Sequence, residues 1–182
     1  MVDLFNYTRR ASSVAHIGAL DLGGDNPIRI QSMTTTNTND TEACVRQAEE
    51  IIKAGGELVR FTTQGSREAE NMKNINAGIR ADGYQTPLVA DVHFNPNVAD
   101  VAALYCEKVR VNPGNYVDPA RKFIKQEYTD EEYAHELQKI EERFVPFLNI
   151  CKEHHTAIRI GVNHGSLSDR IRNRYGDTPE GI

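Results

Sequence analysis

The chain has 182 residues, of which 21 are Lys or Arg and 26 are Asp or Glu, for a formal net charge of -5. That balance offers no overall basic field for nucleic acid, and no apolar run approaches the ~18 residues that would span a membrane. One sizeable core is within reach, although a complete (β/α)8 barrel usually needs ~250 residues.

At the N-terminus, Asp3, Asn6, Arg9 and Arg10 leave no apolar core for a secretory signal, so a cytoplasmic protein is the expectation. Val14 to Leu22, followed by Gly23-Gly24, reads as a hairpin that could close the bottom of a barrel. From there short β-rich runs alternate with helical patterns, which argues for parallel strands joined by crossover helices. Ile28 to Met33 is the first expected barrel strand. The Asn39–Glu42 spacing then marks a helix start, with Cys44, Ala48 and Ile51 on one face and Gly55-Gly56 as the stop. Glu57 to Thr62 is the second strand. Ser66 can cap a helix whose apolar face is Ala69, Met72, Ile75 and Ile79, ending near Asp82-Gly83.

Pro87 to Val92 is the third strand, and Asn95-Pro96 is a cap with proline at the first helical position, leading to Val98, Val101, Ala102 and Tyr105. Lys108 to Asn112 is the fourth strand, and Asp118-Pro119 repeats the cap-plus-proline signal. A longer helix opens on the capping box Thr129-x-x-Glu132 and carries Tyr133, Leu137, Ile140, Phe144 and Phe147 at helical spacing; Pro146 should kink or split it. Ala157 to Asn163 is the fifth strand. Asp177 to Glu180 looks like the start of another helix, capped by Thr178. The expected fold is α/β: the N-terminal portion of a (β/α)8 TIM barrel, about five strands, with residues 1–182 forming a partial substrate-binding domain of a longer protein.

Alternation of side chains along these strands places polar residues where an apolar barrel interior would be expected. Arg60 and Thr62 share a face opposite Val59 and Phe61. Asp91 pairs in phase with His93, Arg110 with Asn112, and Arg159 with Gly161 and Asn163. A buried unpaired charge costs several kcal/mol, so Arg60, Arg110 and Arg159 each call for an anion. The rigid guanidinium fork suits phosphate, and barrel catalytic groups lie at the C-terminal ends of strands. The alternative is that these arginines pair with acids such as Asp91 inside the barrel. Asn112-Pro113-Gly114-Asn115 and Asn163-His164-Gly165-Ser166 are sharp turns that leave amides at the barrel mouth. The hydroxyl-rich passage Gln31 to Thr38 could bind oxygen ligands or cap its own loop. Asp91-x-His93 could act as acid and base, form a buried pair, or hold a metal for which no further ligands are evident. Cys44, Cys106 and Cys151 are far apart, with no Cys-x-x-Cys, and read as buried thiols. His154-His155 and the Glu- and Lys-rich face of residues 127–153 read as solvated surface.

Four passages taken in order, Pro27 to Thr34, Leu88 to Phe94, Lys108 to Asn115 and Ile158 to Leu167, resemble the 4-hydroxy-3-methylbut-2-en-1-yl diphosphate synthase family of the methylerythritol phosphate route to isoprenoids. The likeness runs from about Arg9 to Leu167, and the helical passage from Gln126 to Phe144 is similar to the larger, three-domain form. The resemblance implies an oxidoreductase that reductively opens 2-C-methyl-D-erythritol 2,4-cyclodiphosphate, using a [4Fe-4S] cluster fed by ferredoxin or flavodoxin. It implies that Arg60, Arg110, Arg159, Asn112 and Asn163 hold the diphosphate, with Asp91 and His93 lining the same mouth. It also implies that the rest of the barrel, an insert domain and the C-terminal cluster domain, with the cluster's cysteine ligands, lie outside these residues. The fragment is then expected to be inactive alone, with no metal of its own and no catalytic residue assigned. Unpaired edge strands make a homodimer one expected outcome. A pterin-binding barrel of the dihydropteroate synthase type, or a barrel serving only as an anion-binding module, would share part of the pattern.

Overall fold

The computed structural model describes residues 6, 10–93, 95–118, 127–163, 167–176 and 178–181. Two strands form an N-terminal antiparallel hairpin, β1 (Val14–Ile17) and β2 (Leu20–Gly23), turning at Gly18, whose φ of +58° is one that glycine takes without strain. Then follow β3 (Gln31–Met33), α1 (Thr41–Lys53), β4 (Leu58–Thr63), α2 (Ser66–Ala81), β5 (Leu88–Val92), α3 (Pro96–Ala103), β6 (Lys108–Val111), α4 (Asp130–Glu153), β7 (Ala157–Ile160) and α5 (Asp169–Tyr175). Strands β3 to β7 form one parallel sheet in sequence order. Val59, Phe61, Ala90, Val92, Val109 and Val111 pack against apolar residues of α1 to α4 on a single face. Helices confined to one face of a sequentially ordered parallel sheet are the winding of a (β/α)8 barrel, not of a doubly wound sheet.

The opposite face is the barrel interior. At its lower end Leu58 and Val89 meet Ile17 of the hairpin, with Leu20, Leu22 and Ala157 around them. The hairpin therefore plugs the bottom, and the apolar filling stops there. Above it Thr62, Asp91, Arg110 and Arg159 take the interior positions of β4 to β7.

Strand limits differ from expectation at both sheet edges. Residues 28–30 precede the strand: the Ile30 carbonyl accepts from the Glu57 and Leu58 N–H groups, but its own N–H goes to the Glu57 carboxylate, and Arg29 donates to the Asp21 carbonyl and to Glu57. Ile28 is 86% exposed and Ile30 60%. At the other edge β7 stops at Ile160, 54% exposed, with no strand beyond it in this sheet among the described residues. The first helix starts one residue later than expected, because Asp40, not Asn39, accepts from the Ala43 N–H. Gly65 rather than Ser66 caps α2, and Glu68 reaches back to the N–H groups of Gln64 and Gly65. Asn95-Pro96 and Thr129-x-x-Glu132 cap as their spacing dictates.

Pro146 does not split α4, which runs 24 residues; the proline is exposed, so the Glu142 carbonyl it cannot serve has access to water. Helix α5 escaped the sequence reading, although Ser168 precedes it and Gly176, at φ +66°, ends it. Pro179–Gly181 forms a 3-10 turn. Pro119, which belongs to the expected cap after the fourth strand, lies outside the described residues, as do Asp177, Phe94 and His164 to Ser166.

Candidate functional site

The parallel register aligns Thr62, Asp91, Arg110 and Arg159 in one row across β4 to β7. One step lower, Arg60 lies level with Val89 and Lys108. Asp91 is the centre of this arrangement, 1% exposed on the innermost described strand. Arg60 donates from Nη2 to its Oδ2, and Arg110 donates from Nη1 to its Oδ1 at 3.3 Å. His93 Nε2 lies 3.7 Å from Asp91 Oδ2. Arg110, 7% exposed, also donates from Nη2 to the Gly161 carbonyl at 2.8 Å. The pairing of interior arginines with Asp91, left open by the sequence, is thus the arrangement present for Arg60 and Arg110.

One carboxylate does not balance these cations. Arg60 and Arg110 contact Asp91, Lys108 lies one step below Arg110 on the same face, and Arg159 shares that phase on β7. The strain shows at Lys108, 7% exposed: burial first, then the charges of Arg159 and Arg60, hold its ammonium below the usual lysine value. The Arg60 Nε, buried, has no hydrogen-bond partner among the described residues. Lys108 was missed in the sequence, although the same alternation that placed Arg110 and Asn112 inward also applies to it.

Arg159 departs from its expected burial. It has the interior phase, level with Arg110, and it is exposed, β7 being the last strand of this sheet among the described residues. Asn112, 4% exposed, ends β6 and accepts from the Gly114 N–H at 3.1 Å, capping the 3-10 turn Pro113–Asn115. Asn163 is exposed beyond the end of β7.

The mouth loop after β6 is held from outside. Tyr116 packs edge-on to Phe144 at 5.3 Å and against Phe147 at 5.9 Å. Arg143 lies over the Tyr116 ring at 5.8 Å and donates to Asp100 of α3 at 2.6 Å. Arg170 of α5 donates to the Gly114 carbonyl at 2.7 Å and to the carboxylates of Asp118 and Glu136. The Asp118 carboxylate is engaged by this arginine.

The threonines after β3 tie their loop to β4 and α1. Thr38 donates to the Thr62 carbonyl at 2.6 Å and Thr34 to the Arg60 carbonyl at 3.4 Å, while the Gln47 side chain accepts from the N–H groups of Thr35 and Thr36. Cys44, Cys106 and Cys151 are buried in the core between sheet and helices, on the far side of the sheet from the interior. Burial raises all three thiols, Cys151 to about 12. Their positions and protonation do not fit iron ligation at the interior. His154 and His155 are exposed. Among the described residues no helix is long and apolar enough to cross a membrane.

Comparison with known proteins agrees with this architecture. The family model described as "GcpE TIM-barrel domain" matches residues 12–182. A protein of Phocaeicola vulgatus named 4-hydroxy-3-methylbut-2-en-1-yl diphosphate synthase (flavodoxin) is 76% identical over 181 residues, which is all of this chain and 30% of that protein. Proteins of the same name from Parabacteroides distasonis and Porphyromonas gingivalis are 67% and 53% identical, over 98% and 100% of this chain and 29% and 31% of their own lengths. The chain thus spans about 30% of the length of the curated relatives it matches. Matched by that model along nearly its whole length, and by these relatives from end to end, the chain belongs to the GcpE TIM-barrel family.

Proposed function

We propose that this chain supplies the diphosphate-binding part of the barrel in an oxidoreductase that converts 2-C-methyl-D-erythritol 2,4-cyclodiphosphate to 4-hydroxy-3-methylbut-2-enyl diphosphate in isoprenoid biosynthesis. The observation that carries the reading is the excess of interior cations: Arg60, Lys108, Arg110 and Arg159 around the carboxylate of Asp91. A cyclic diphosphate is a compact, multiply charged anion, the partner that such a cluster lacks. The names of the relatives support the same reaction and point to flavodoxin as electron donor, with ferredoxin as the alternative donor class.

In this reading Arg60 and Arg110, pre-aligned by Asp91, bind phosphate oxygens, and Arg159 adds a third guanidinium at the mouth. Asn112 and Asn163 close the ring of polar groups, and His93 lines it beside Asp91. Fixing the diphosphate orients the carbon skeleton for ring opening and lowers the entropic part of the barrier. A [4Fe-4S] cluster would supply the electrons. The thiols of this chain do not fit it, so its ligands are assigned to another part of the protein, as are the remaining barrel strands and the insert domain. A cytoplasmic location and homodimerisation belong to the same proposal.

The test is turnover of the cyclodiphosphate by the full-length protein and its Arg110→Ala variant. Loss of a charge-assisted hydrogen bond predicts kcat/KM lower by about tenfold or more. Unchanged turnover in the variant would overturn the assignment.

A further inference from the structure

Gly161 follows β7 and continues its interior face two residues beyond Arg159. Its backbone does not ask for glycine: it is absent from the residues at positive φ. The demand comes from a side chain. A Cβ on Gly161 would stand 2.0 Å from Arg110 Nε and 2.9 Å from both Cδ and Cζ, where non-bonded heavy atoms normally keep ~3.5 Å or more. The Arg110 side chain therefore lies across the end of β7 in the space a methyl group would fill.

Both ends of this contact are fixed. The guanidinium donates to the Gly161 carbonyl at 2.8 Å and to Asp91 at 3.3 Å. The Gly161 N–H donates to the Val111 carbonyl at 2.8 Å, so its backbone cannot retreat without giving up a bond between the two strand ends. We propose that Gly161 is a positioning residue for anion recognition: its missing side chain lets the Arg110 guanidinium lie on the interior, held between a carbonyl of one strand and a carboxylate of another. The proposal rests on the diphosphate reading of the interior, which the experiment below separates from it.

The full-length protein is compared with Gly161→Ala, Arg110→Ala and the double variant, reading KM and kcat for the cyclodiphosphate together with the thermal midpoint. In the parent background Gly161→Ala should lower the midpoint and raise KM by about tenfold or more, with kcat changed less. In the Arg110→Ala background the three closest contacts of that methyl are gone, and it should change neither quantity. If Gly161→Ala fails to fold while the double variant folds, that rescue supports the same steric dependence. Equal effects in both backgrounds, or none in the parent, overturn the proposal. Coupled midpoints with an unchanged KM in every variant leave the steric dependence standing but overturn both the diphosphate reading and the recognition role.

Discussion

Replacing Asp91 by asparagine keeps the side-chain shape and removes the charge on which two guanidinium groups converge. The native carboxylate is 1% exposed and accepts from Arg60 and Arg110. Removing one partner of a buried ion pair costs ~3–5 kcal/mol, because the other charge stays behind. Two features reduce that figure here. Arg60 keeps 22% of its side-chain exposure and can turn towards water, and Arg110 keeps the Gly161 carbonyl. A loss of ~2–3 kcal/mol is therefore expected, between one charged hydrogen bond and a whole buried pair. In the full-length protein it would read as a lower urea midpoint with an unchanged slope. Pyrophosphate should then protect Asp91→Asn more than the parent, because the anion no longer competes with a carboxylate for the same cations. Ligand at ten times its Kd adds ~1.4 kcal/mol. A variant within ~0.5 kcal/mol of the parent, or one that pyrophosphate protects no better, refutes the argument that Asp91 neutralises the interior arginines.

Two further outcomes follow from the helix-covered side of the sheet. Phe147, fully buried between Tyr116 and Phe144, should cost ~3–5 kcal/mol on conversion to alanine, read by urea unfolding; a loss under ~1 kcal/mol would mean the trio does not anchor the mouth loop. Cys151, with burial holding its pKa at about 12, has a thiolate fraction of ~10⁻⁴ at pH 8. An aromatic disulfide reagent followed by peptide mass mapping should modify Cys44, Cys106 and Cys151 only after unfolding, and rapid modification in the native state would contradict their placement. Because the folded pKa exceeds the unfolded value of ~8.5, the native state holds protons that the unfolded chain releases. This contribution to stability is full below pH ~8.5 and is lost as pH rises towards the folded value.

Legibility in the sequence followed the range of each physical cause. Pleating is local, so two-residue alternation placed Arg60, Asp91, Arg110 and Asn112 on the interior face without knowledge of their neighbours. Lys108 obeyed the same rule and was overlooked because it opens its strand. Caps were readable at Asn95 and Thr129, where side chain and helix are adjacent, and slipped by one residue at Asp40 and Gly65, where two polar or small residues competed for the position. Edges were not readable. The short β3, the early end of β7 and the exposure of Arg159 depend on which strands lie alongside. The grip of Arg170 on Asp118, 52 residues away, and the destination of the Thr34 and Thr38 hydroxyls also belong to tertiary packing.

The strand order carries a consequence for biosynthesis. Each parallel strand from β4 to β7 bonds to the strand immediately before it in the chain. Every new β–α unit can therefore settle on a surface that has already left the ribosome, and no strand must wait for a later one to be inserted beside it. Short sequence separation favours rapid pairing, and domains form as the chain is synthesised. The charged interior is assembled by the same progression. Asp91 emerges after Arg60 and before Arg110, so the first guanidinium meets its carboxylate one strand later, and the second arrives when that carboxylate already has a partner.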